Sequence, residues 1–592
     1  MKTSTEMSRR TFLKGTGIGA LVATGSSIGA LAGCSPSPQA SGKNSESNPK
    51  SSSNETSWLP EEPTDPENIE EELEADVVIV GCGTAGTCAA RAAAEEGASV
   101  IVIEKSAAPA VCRSGQWAVI GGETNKRWNR GVGQSDYIDP DEVVETVMAE
   151  SQYYPDRSFL SKWAKNNGEV FDWYIAAKPD LFISNNSTDP LPAIESESDC
   201  SLWVRHYPQS NGFNLANERV KEYQSSVSFN PSHQPVLTAN WEVAEKAGAI
   251  CLTGHFAEKL IVEGGRVVGV FVRDAESGSY KKIVAKNGVL LAGGDVSNDP
   301  AMNEHFAPDL VANEIQNMWM NNDVEGNPTN TGDCQKMAVW AGAAMCQKAA
   351  PMVHYMGHML TIGAAPYLSI NVKGKRFTNE DISALQFENA VERIPQRKFW
   401  TIFDASWTEQ LSAFQPRFAS TNFVVDEPTP QNLAINDVHP YVTKDAVEAA
   451  CAGDKPTMMK SDTIEGLLAQ FDGLEDIDAA KTSIERYNEL ANSGHDDDFG
   501  KPASRMFPIK NAPFYAFQGG TGVNLVTIAG IKGDNDCHCM NEDGDIIPGL
   551  YAAGNTQGDR FALNYIPTMS GMSHSMAMYY GFVAGKNMAQ GV

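Results

Sequence analysis

Four side chains in the second half of the chain have the chemistry needed to move a proton or to hold a polar group. His354 and Tyr355 are adjacent, Tyr565 follows much later, and Arg376 stands four residues before Glu380 in the segment GKRFTNEDISA. A histidine or tyrosine can hydrogen-bond a carbonyl and donate a proton to a neighbouring atom. Arg376 can touch an anionic group or pair structurally with a nearby carboxylate, and the sequence favours neither role. The candidate catalytic residues are therefore His354, Tyr355, Arg376 and Tyr565.

The element that would position such residues begins with a glycine-rich turn. A short β-branched run, residues 76–80, leads into GCGTAG, and an alanine-rich helix and a second strand follow, closed by Glu104. Gly81 permits the tight turn, and Gly83 lets backbone amides approach a pyrophosphate at the positive end of the helix. Gly86 allows the helix to pack closely on the strand, and Glu104 can accept hydrogen bonds from an adenosine ribose. This order of elements predicts a dinucleotide site.

Later segments favour FAD over NAD as the dinucleotide. The strand VLLAGGD, residues 289–295, ends in a double glycine and follows an alternating β-segment expected to pair near Ala257. Thr331, in the segment TGD, fits the N-cap of a helix. The strand PGLYAAGN leads towards a helix expected over about residues 570–588. The N-terminal amides of that helix could stabilise a reduced flavin.

Taken in order, GCGTAG with its acid, AGG, TGD, GKRFTNE and PGLYAAG resemble the FAD-binding flavoprotein subunits of fumarate reductase and succinate dehydrogenase, particularly the soluble, exported branch of that family. The resemblance implies an α/β fold in which a Rossmann-like FAD-binding domain, residues 73–350 and 508–592, is interrupted by an α+β capping domain, residues 351–507. Substrate would lie between the two domains, against the flavin. The residues expected to contact FAD are Gly81, Gly83, Thr84, Ala85, Gly86, Glu104, Lys105, Arg113, Ser114, Gly121, Gly122, Ala257, Ala292, Gly293, Gly294, Asp333, Gly554, Asn555, Ser570 and Gly571.

Several positions depart from the family pattern. Gly115 stands where the membrane-bound branch attaches FAD through a histidine, so we expect non-covalent FAD. Ala384 stands where the family places its proton-donating arginine. Val526 and a site near Thr568 fall where relatives hold a substrate carboxylate with a histidine and an arginine. A pocket without these cations should discriminate against fumarate, because the charges of that substrate would be left unpaired.

These observations predict a flavin-dependent reductase of an activated C=C bond in an enone or enoate other than fumarate. The sequence holds no CxxCH haem site and no ferredoxin-type cysteine run, so an external donor such as a membrane quinol-linked cytochrome is expected to supply electrons. Two alternatives stay open: an FAD-dependent dehydrogenase of the ketosteroid type, and a non-catalytic FAD electron-relay lipoprotein. Cys537, His538 and Cys539 fit alternate residues of a strand better than a metal site, and no metal is predicted.

The N-terminal residues predict export and anchoring. Residues 1–34 combine paired arginines, an apolar run and a lipobox ending at Cys34, which resembles a twin-arginine lipoprotein signal. Residues 35–72 have the composition of a disordered linker. The expected location is the outer face of the cytoplasmic membrane, through a lipid anchor. A formal net charge of −29 argues against nucleic acid as a partner.

Overall fold

The computed structural model describes residues 58–592 except for short internal gaps. The gaps are residues 114, 125, 127–137, 184–199, 205–220, 222, 224–225, 231, 319–320, 355–364, 415–422, 426–440, 521, 562–564 and 566–567. The predicted signal, the first part of the predicted linker, Ser114 and Tyr355 therefore lie outside the described residues.

Strands and helices are both distributed along the described chain. The strands are β1 (Ile69–Val80), β2 (Val100–Glu104), β3 (Gln116–Ala118), β4 (Phe182–Ile183), β5 (Ser201–Val204), β6 (Ser226–Asn230), β7 (Ile250–Thr253), β8 (His255–Glu263), β9 (Arg266–Asp274), β10 (Tyr280–Leu291), β11 (Gln316–Asn317), β12 (Ala350–His354), β13 (Leu368–Asn371), β14 (Phe399–Asp404), β15 (Phe423–Val425), β16 (Tyr441–Thr443), β17 (Met459–Ser461), β18 (Phe514–Gly519), β19 (Val523–Ile528), β20 (His538–Met540) and β21 (Ile546–Ala552). The α-helices are α1 (Thr84–Glu95), α2 (Pro140–Glu150), α3 (Arg157–Ile175), α4 (Gln234–Lys246), α5 (Pro300–Phe306), α6 (Pro308–Ala312), α7 (Asp333–Trp340), α8 (Ala384–Glu392), α9 (Trp407–Gln410), α10 (Lys444–Ala450), α11 (Ile464–Leu468), α12 (Ile477–Ser493) and α13 (Met572–Gln590).

The largest sheet is the Rossmann-like core. Its strand order is β20-β21-β10-β1-β2-β7, and β9 pairs with β10 and β8 outside this path. Pairing is parallel from β21 through β10, β1 and β2 to β7. Val77 and Ile79 share a core with α1 and α13 on one face, while Val78 and Val80 share a core with β9 and α7 on the other. The predicted α/β class and the Rossmann-like arrangement are confirmed.

Helix α13 packs against α1 at very close range. A Cβ added at Gly581 would lie 2.3 Å from the Ala85 carbonyl oxygen, and one added at Gly585 would lie 2.3 Å from that of Ala89. Only glycine allows the two backbones to approach so closely. The middle of α13 is thereby fixed beside the helix that follows the glycine-rich turn.

A second body of structure surrounds the sheet β13-β14-β18-β17. Trp400 on β14 is fully buried and stacks on Phe471 with ring centroids 4.8 Å apart. The helices α11 and α12 contribute Leu467 and Ile484 to the same apolar cluster. Strand β18 belongs to this sheet although it begins after residue 507, where the capping domain was expected to end.

Residues 58–72 are ordered, in contrast to the predicted linker. Trp58 is buried with 5% of its surface exposed, and its ring centroid lies 5.4 Å from that of Phe306. Trp340 Nε1 donates to the Pro60 carbonyl at 3.1 Å. Trp58, the one large aromatic residue of the segment, therefore anchors it. The polar composition of the segment did not indicate this packing. We refer to residues 58–68 as the N-terminal strap.

Candidate active site

The glycine-rich turn has the geometry of a dinucleotide cradle. Gly81 has φ +96°, and a Cβ there would lie 2.6 Å from the Ala292 carbonyl oxygen. A Cβ at Gly86 would lie 1.9 Å from the Gly81 carbonyl oxygen, so both positions require glycine. Gly83, by contrast, has no neighbouring atom within 4 Å of the position that a Cβ would occupy. It precedes the N-terminus of α1, and this open space beside free helical amides fits a pyrophosphate. Thr84 and Ala85, also predicted to contact FAD, form the first turn of α1 and are buried.

Glu104 lies at the end of β2, as predicted. Its Oε2 accepts a hydrogen bond from the Cys82 amide at 2.7 Å and its Oε1 accepts one from the Ser106 amide at 2.8 Å. The acid thus ties the glycine-rich turn to the chain after β2. Each carboxylate oxygen keeps a second lone pair with which it can accept a ribose hydroxyl.

Lys105 and Asp333 form a pair that the sequence did not predict. Lys105 Nζ donates to Asp333 Oδ2 at 2.8 Å and to Thr331 Oγ1 at 2.9 Å. Burial opposes ionisation of Asp333, but the charge and hydrogen bond of Lys105 hold the pKa of that carboxyl below its usual range. The prediction that Thr331 caps α7 is wrong. Gly332, with φ +68°, occupies the N-cap position, and the Thr331 hydroxyl donates a hydrogen bond to the Asp333 carboxylate instead.

The double glycine after β10 packs against protein. A Cβ at Gly293 would lie 2.5 Å from Cys334 Sγ, and Gly294 has φ +93° and donates its amide to Thr556 Oγ1 at 3.0 Å. Ala292 is buried beneath Gly81, and Ala257 pairs with β9 as expected. The glycines therefore allow this turn to lie close to α7 and to the turn after β21.

The segment around β3 approaches the first turn of α13. Gly121 and Gly122 both have positive φ; Gly121 faces open space, whereas a Cβ at Gly122 would lie 2.6 Å from the Gly168 carbonyl oxygen. The Arg113 carbonyl oxygen lies 3.3 Å from His574 Nε2. A Cβ at Gly115 would lie 2.5 Å from the His574 ring.

His574 is a histidine that the sequence reasoning missed. Its ring stacks on Trp117 at 5.6 Å between centroids, and burial lowers its pKa to about 4. An imidazole therefore lies against the position where the membrane-bound branch carries its FAD-attaching histidine, but it comes from α13. Its neighbours in sequence, SGMSHSM, offer no spacing that would have indicated this contact.

The C-terminal FAD-contact candidates converge on the start of α13. Gly554 has φ +68°, and a Cβ there would lie 3.0 Å from the Ala85 Cβ. Gly571, with φ +86°, precedes α13, and a Cβ there would lie 2.3 Å from the Gln116 backbone. Ser570 is buried just before it.

A hydrogen-bond network joins these segments. Asn555 Oδ1 accepts from Ser573 Oγ at 2.7 Å and from Arg560 Nη2 at 2.8 Å. The Ser573 amide donates to the Tyr565 hydroxyl at 3.0 Å. The first turn of α13 is thus held to the turn after β21 and to Tyr565.

Tyr565 also lines a cavity of about 360 Å³. Burial raises its pKa to about 12, so the hydroxyl stays protonated at neutral pH. Among the described residues, the cavity wall combines helix α5, strand β12 and helix α8. Its lining includes His305, Phe306, Met352, Glu388, Asn389 and Tyr565.

The other candidate catalytic residues lie elsewhere or outside the described part. His354 ends β12, which borders the cavity, but its side chain and all of Tyr355 are outside the described residues. Ala384 begins α8, one turn before Glu388.

Arg376 lies in a buried ion-pair network of the second body. Its guanidinium donates to both oxygens of Glu380 at 2.9 Å and to both oxygens of Asp496 at 2.9 and 3.0 Å. Lys501 Nζ lies 3.4 Å from Glu380 Oε2. This geometry supports a structural role for Arg376, because two carboxylates already accept the hydrogen bonds of its guanidinium group.

Glu150 is a further carboxyl that the sequence reasoning did not single out. It ends α2, and its Oε2 accepts from Thr568 Oγ1 at 3.1 Å. Burial raises its pKa to about 7. The position near which relatives place a cation therefore holds a neutral hydroxyl bonded to an acid.

The described residues fit FAD. The glycine cradle is open at Gly83, the strand-end acid is in place, and two segments predicted to contact the flavin meet at the N-terminus of α13. Within the described ranges, no group of three histidine, cysteine or acidic side chains could hold a metal ion. In the same ranges, no helix combines the length and apolar character that crossing a membrane requires.

Comparison with known proteins identifies the family of the chain. The FAD binding domain family matches residues 76–565. Digoxin reductase of Eggerthella lenta is 28% identical, over 98% of this chain and 97% of its own length. Vinyl phenol reductase of Lactiplantibacillus plantarum is 24% identical, over 87% of this chain and 96% of its own length.

A solved structure shares the fold. The 3-ketosteroid-delta4-(5alpha)-dehydrogenase from Rhodococcus jostii, solved with 4-androstene-3,17-dione, superposes with a TM-score of 0.64 and 21% identity, covering 90% of this chain and 99% of that one. FAD as the cofactor is confirmed, as is the class of oxidoreductases acting on CH–CH and C=C bonds. The chain belongs to the FAD-binding flavoprotein family of the fumarate reductases and succinate dehydrogenases.

Proposed function

We propose that this protein is a flavin-dependent reductase that saturates an activated C=C bond in an acceptor other than fumarate. The observation that carries the proposal is the position of Tyr565, whose hydroxyl is held by the first turn of α13 and whose side chain lines the cavity beside α8. Bound FAD supplies the hydride chemistry. Tyr565 supplies a proton or hydrogen-bonds the electron-withdrawing group of the acceptor, because its phenol is protonated at neutral pH.

The residues at the expected carboxylate-binding positions support an acceptor without two carboxylates. Val526 and Thr568 carry no charge, and the Thr568 hydroxyl donates to Glu150 rather than facing a substrate anion. A dicarboxylate would lose its hydration without gaining cations at these positions, which disfavours its binding. The relatives named for digoxin and vinyl phenol agree with an acceptor of another kind.

The same tyrosine bears on the direction of the reaction. A dehydrogenase of the ketosteroid type needs a base, and a tyrosine base needs a lowered pKa. Burial raises the pKa of Tyr565 to about 12, so its hydroxyl is protonated at neutral pH and is not available as that base. The observation that favours the dehydrogenase as second candidate is the 26% identity to a 3-oxosteroid 1-dehydrogenase of Mycolicibacterium smegmatis.

The test is reoxidation of the dye-reduced holoenzyme by a panel of acceptors. We expect rapid reoxidation by at least one steroid enone or vinyl phenol and slow reoxidation by fumarate. Tyr565→Phe should lower the acceptor-dependent rate by roughly 10²- to 10⁴-fold while the protein keeps its FAD. Rapid turnover of fumarate would overturn the choice of acceptor. Equal rates with all acceptors would identify an electron relay, and reduction of the oxidised enzyme by a saturated ketosteroid would identify the dehydrogenase.

Export, a lipid anchor and a membrane donor are part of the proposal. The N-terminal sequence with Cys34 supports attachment outside the cytoplasmic membrane, where a quinol-linked cytochrome would supply electrons. Replacing Cys34 by alanine should move the protein from the membrane fraction to the soluble exported fraction. Unchanged membrane attachment of that variant would refute the lipid anchor.

A further inference from the structure

Arg560 is a buried cation with an incomplete set of hydrogen bonds. It is only 1% exposed, and it is among the largest fully buried side chains of the described residues. Its Nε donates to the Gln557 carbonyl at 3.1 Å and its Nη2 donates to Asn555 Oδ1 at 2.8 Å. Its Nη1 is buried without a hydrogen-bond partner in the described part of the chain.

Among the described residues, no carboxylate forms an ion pair with Arg560. The titratable groups that face it are Tyr565, Tyr580, Cys346 and Cys537. Burial raises the pKa of each of these groups, so all four are neutral at physiological pH.

A buried arginine in this position needs a negatively charged partner. Burial lowers the pKa of Arg560 only to about 10, so the guanidinium keeps its charge at neutral pH. Buried charges in proteins are paired with an opposite charge or with a bound ion, since an unpaired charge is strongly destabilising. The described residues supply no such ion pair to Arg560, and we infer that a ligand supplies the charge.

The hydrogen bonds of Arg560 indicate which part of the bound cofactor its charge serves. They lead through Asn555 to Ser573 in the first turn of α13. The pyrophosphate is assigned to Gly83 at the start of α1, a different helix. The N-terminus of α13 carries partial positive charge, and Arg560 adds a full charge to the same side of the site.

We propose that Arg560 is a positioning residue that supplies the fixed positive charge for the flavin ring in its reduced state, acting through Asn555 and the first turn of α13. When FAD takes up two electrons and one proton, the reduced cofactor carries one negative charge more than the oxidised one. A pre-placed guanidinium stabilises that charge without reorganisation. The inference rests on FAD binding and is independent of the acceptor.

The test is the two-electron midpoint potential of the FAD-loaded holoenzyme, measured against a dye of known potential. Arg560→Gln keeps a polar group but removes the charge. It should shift the equilibrium towards oxidised FAD by roughly tenfold or more, which is a potential lower by about 30 mV or more. Arg560→Lys keeps the charge and should stay within about threefold of the wild type.

The pH dependence provides a measurement on the unaltered protein. One proton per two electrons gives a slope of about 30 mV per pH unit, and two protons give about twice that. The wild type should show the shallower slope near pH 7, and Arg560→Gln should show a steeper one. A steep slope in the wild type would overturn the proposal even if no variant folded. So would an Arg560→Gln variant that bound oxidised FAD more weakly at an unchanged potential, because that result would assign the cation to the pyrophosphate.

Discussion

Replacing Arg376 by methionine separates the two roles that the sequence allowed for this residue. Methionine keeps much of the length and apolar volume of the side chain and removes the guanidinium. Glu380 and Asp496, which are 1% and 0% exposed, would then face each other without their shared cation. Among the described cations, Lys501, 3.4 Å from Glu380, would remain to offset the two charges.

The size of the effect follows from this geometry. Removing one partner of a buried ion pair costs about 3–5 kcal/mol, because the remaining charge stays buried. Arg376 makes four hydrogen bonds to two carboxylates, which favours the upper part of that range, while Lys501 gives partial compensation. We therefore expect the free energy of unfolding to fall by about 3–4 kcal/mol.

The assay is urea unfolding of the holoenzyme followed by tryptophan fluorescence. Arg376→Met should lower the midpoint without changing the slope, and the folded fraction should keep its turnover per bound FAD. Lys375→Met is the matched control, since Lys375 is the adjacent cation and is exposed. The control should stay within about 0.5 kcal/mol of the wild type. An Arg376→Met variant that unfolds like the control but has lost its turnover would show that Arg376 acts in catalysis.

Three further changes test other parts of the structure. Gly86→Ala should abolish FAD retention, because its Cβ would lie 1.9 Å from the Gly81 carbonyl oxygen; an FAD-loaded variant in the flavin absorption spectrum would contradict the cradle. Trp58→Ala should cost about 3–5 kcal/mol and expose the N-terminal strap to protease, whereas cleavage at the wild-type rate would contradict its anchoring. Glu150→Gln should remove a pH dependence of stability. Burial raises the pKa of Glu150 in the folded state from 4.5 to about 7, so the folded state retains a proton that the unfolded state has lost. The free energy of unfolding of the wild type should therefore fall as pH rises across that interval. Parallel curves of unfolding free energy against pH for wild type and variant would refute that pKa.

The glycine-rich turn and its flanking strands could be predicted from the sequence because their constraints are local. Gly81 and Gly86 need the conformations and close approaches that only glycine allows, and the strands on either side have a continuous apolar pattern. Such features can be read within a window of 30 residues, as the general fingerprint requires. The acid at Glu104 was placed at the right strand end, although its bonds to the Cys82 and Ser106 amides could not be read from spacing.

The rest depended on contacts between distant segments. His574 reaches Gly115 because the start of α13 lies against the β3 segment, and no pattern near either residue indicates this. Arg376 had a carboxylate partner in sequence, Glu380, but its second partner, Asp496, is 120 residues away. The packing of residues 58–68 depends on a single tryptophan, and the mean composition of the segment does not show the effect of one residue.

The close packing of α13 on α1 has a consequence for how the protein is made. Helix α1 is among the first elements to leave the ribosome, and its partner α13 follows only after nearly all of the remaining chain has been synthesised. A nascent chain therefore has the glycine-rich turn expected to bind the pyrophosphate without the helix end that we propose for the flavin ring. FAD is expected to load after synthesis, into a chain that is already folded. An export pathway that carries folded proteins would suit that order of events, whereas threading an unfolded chain across the membrane would leave the cofactor behind.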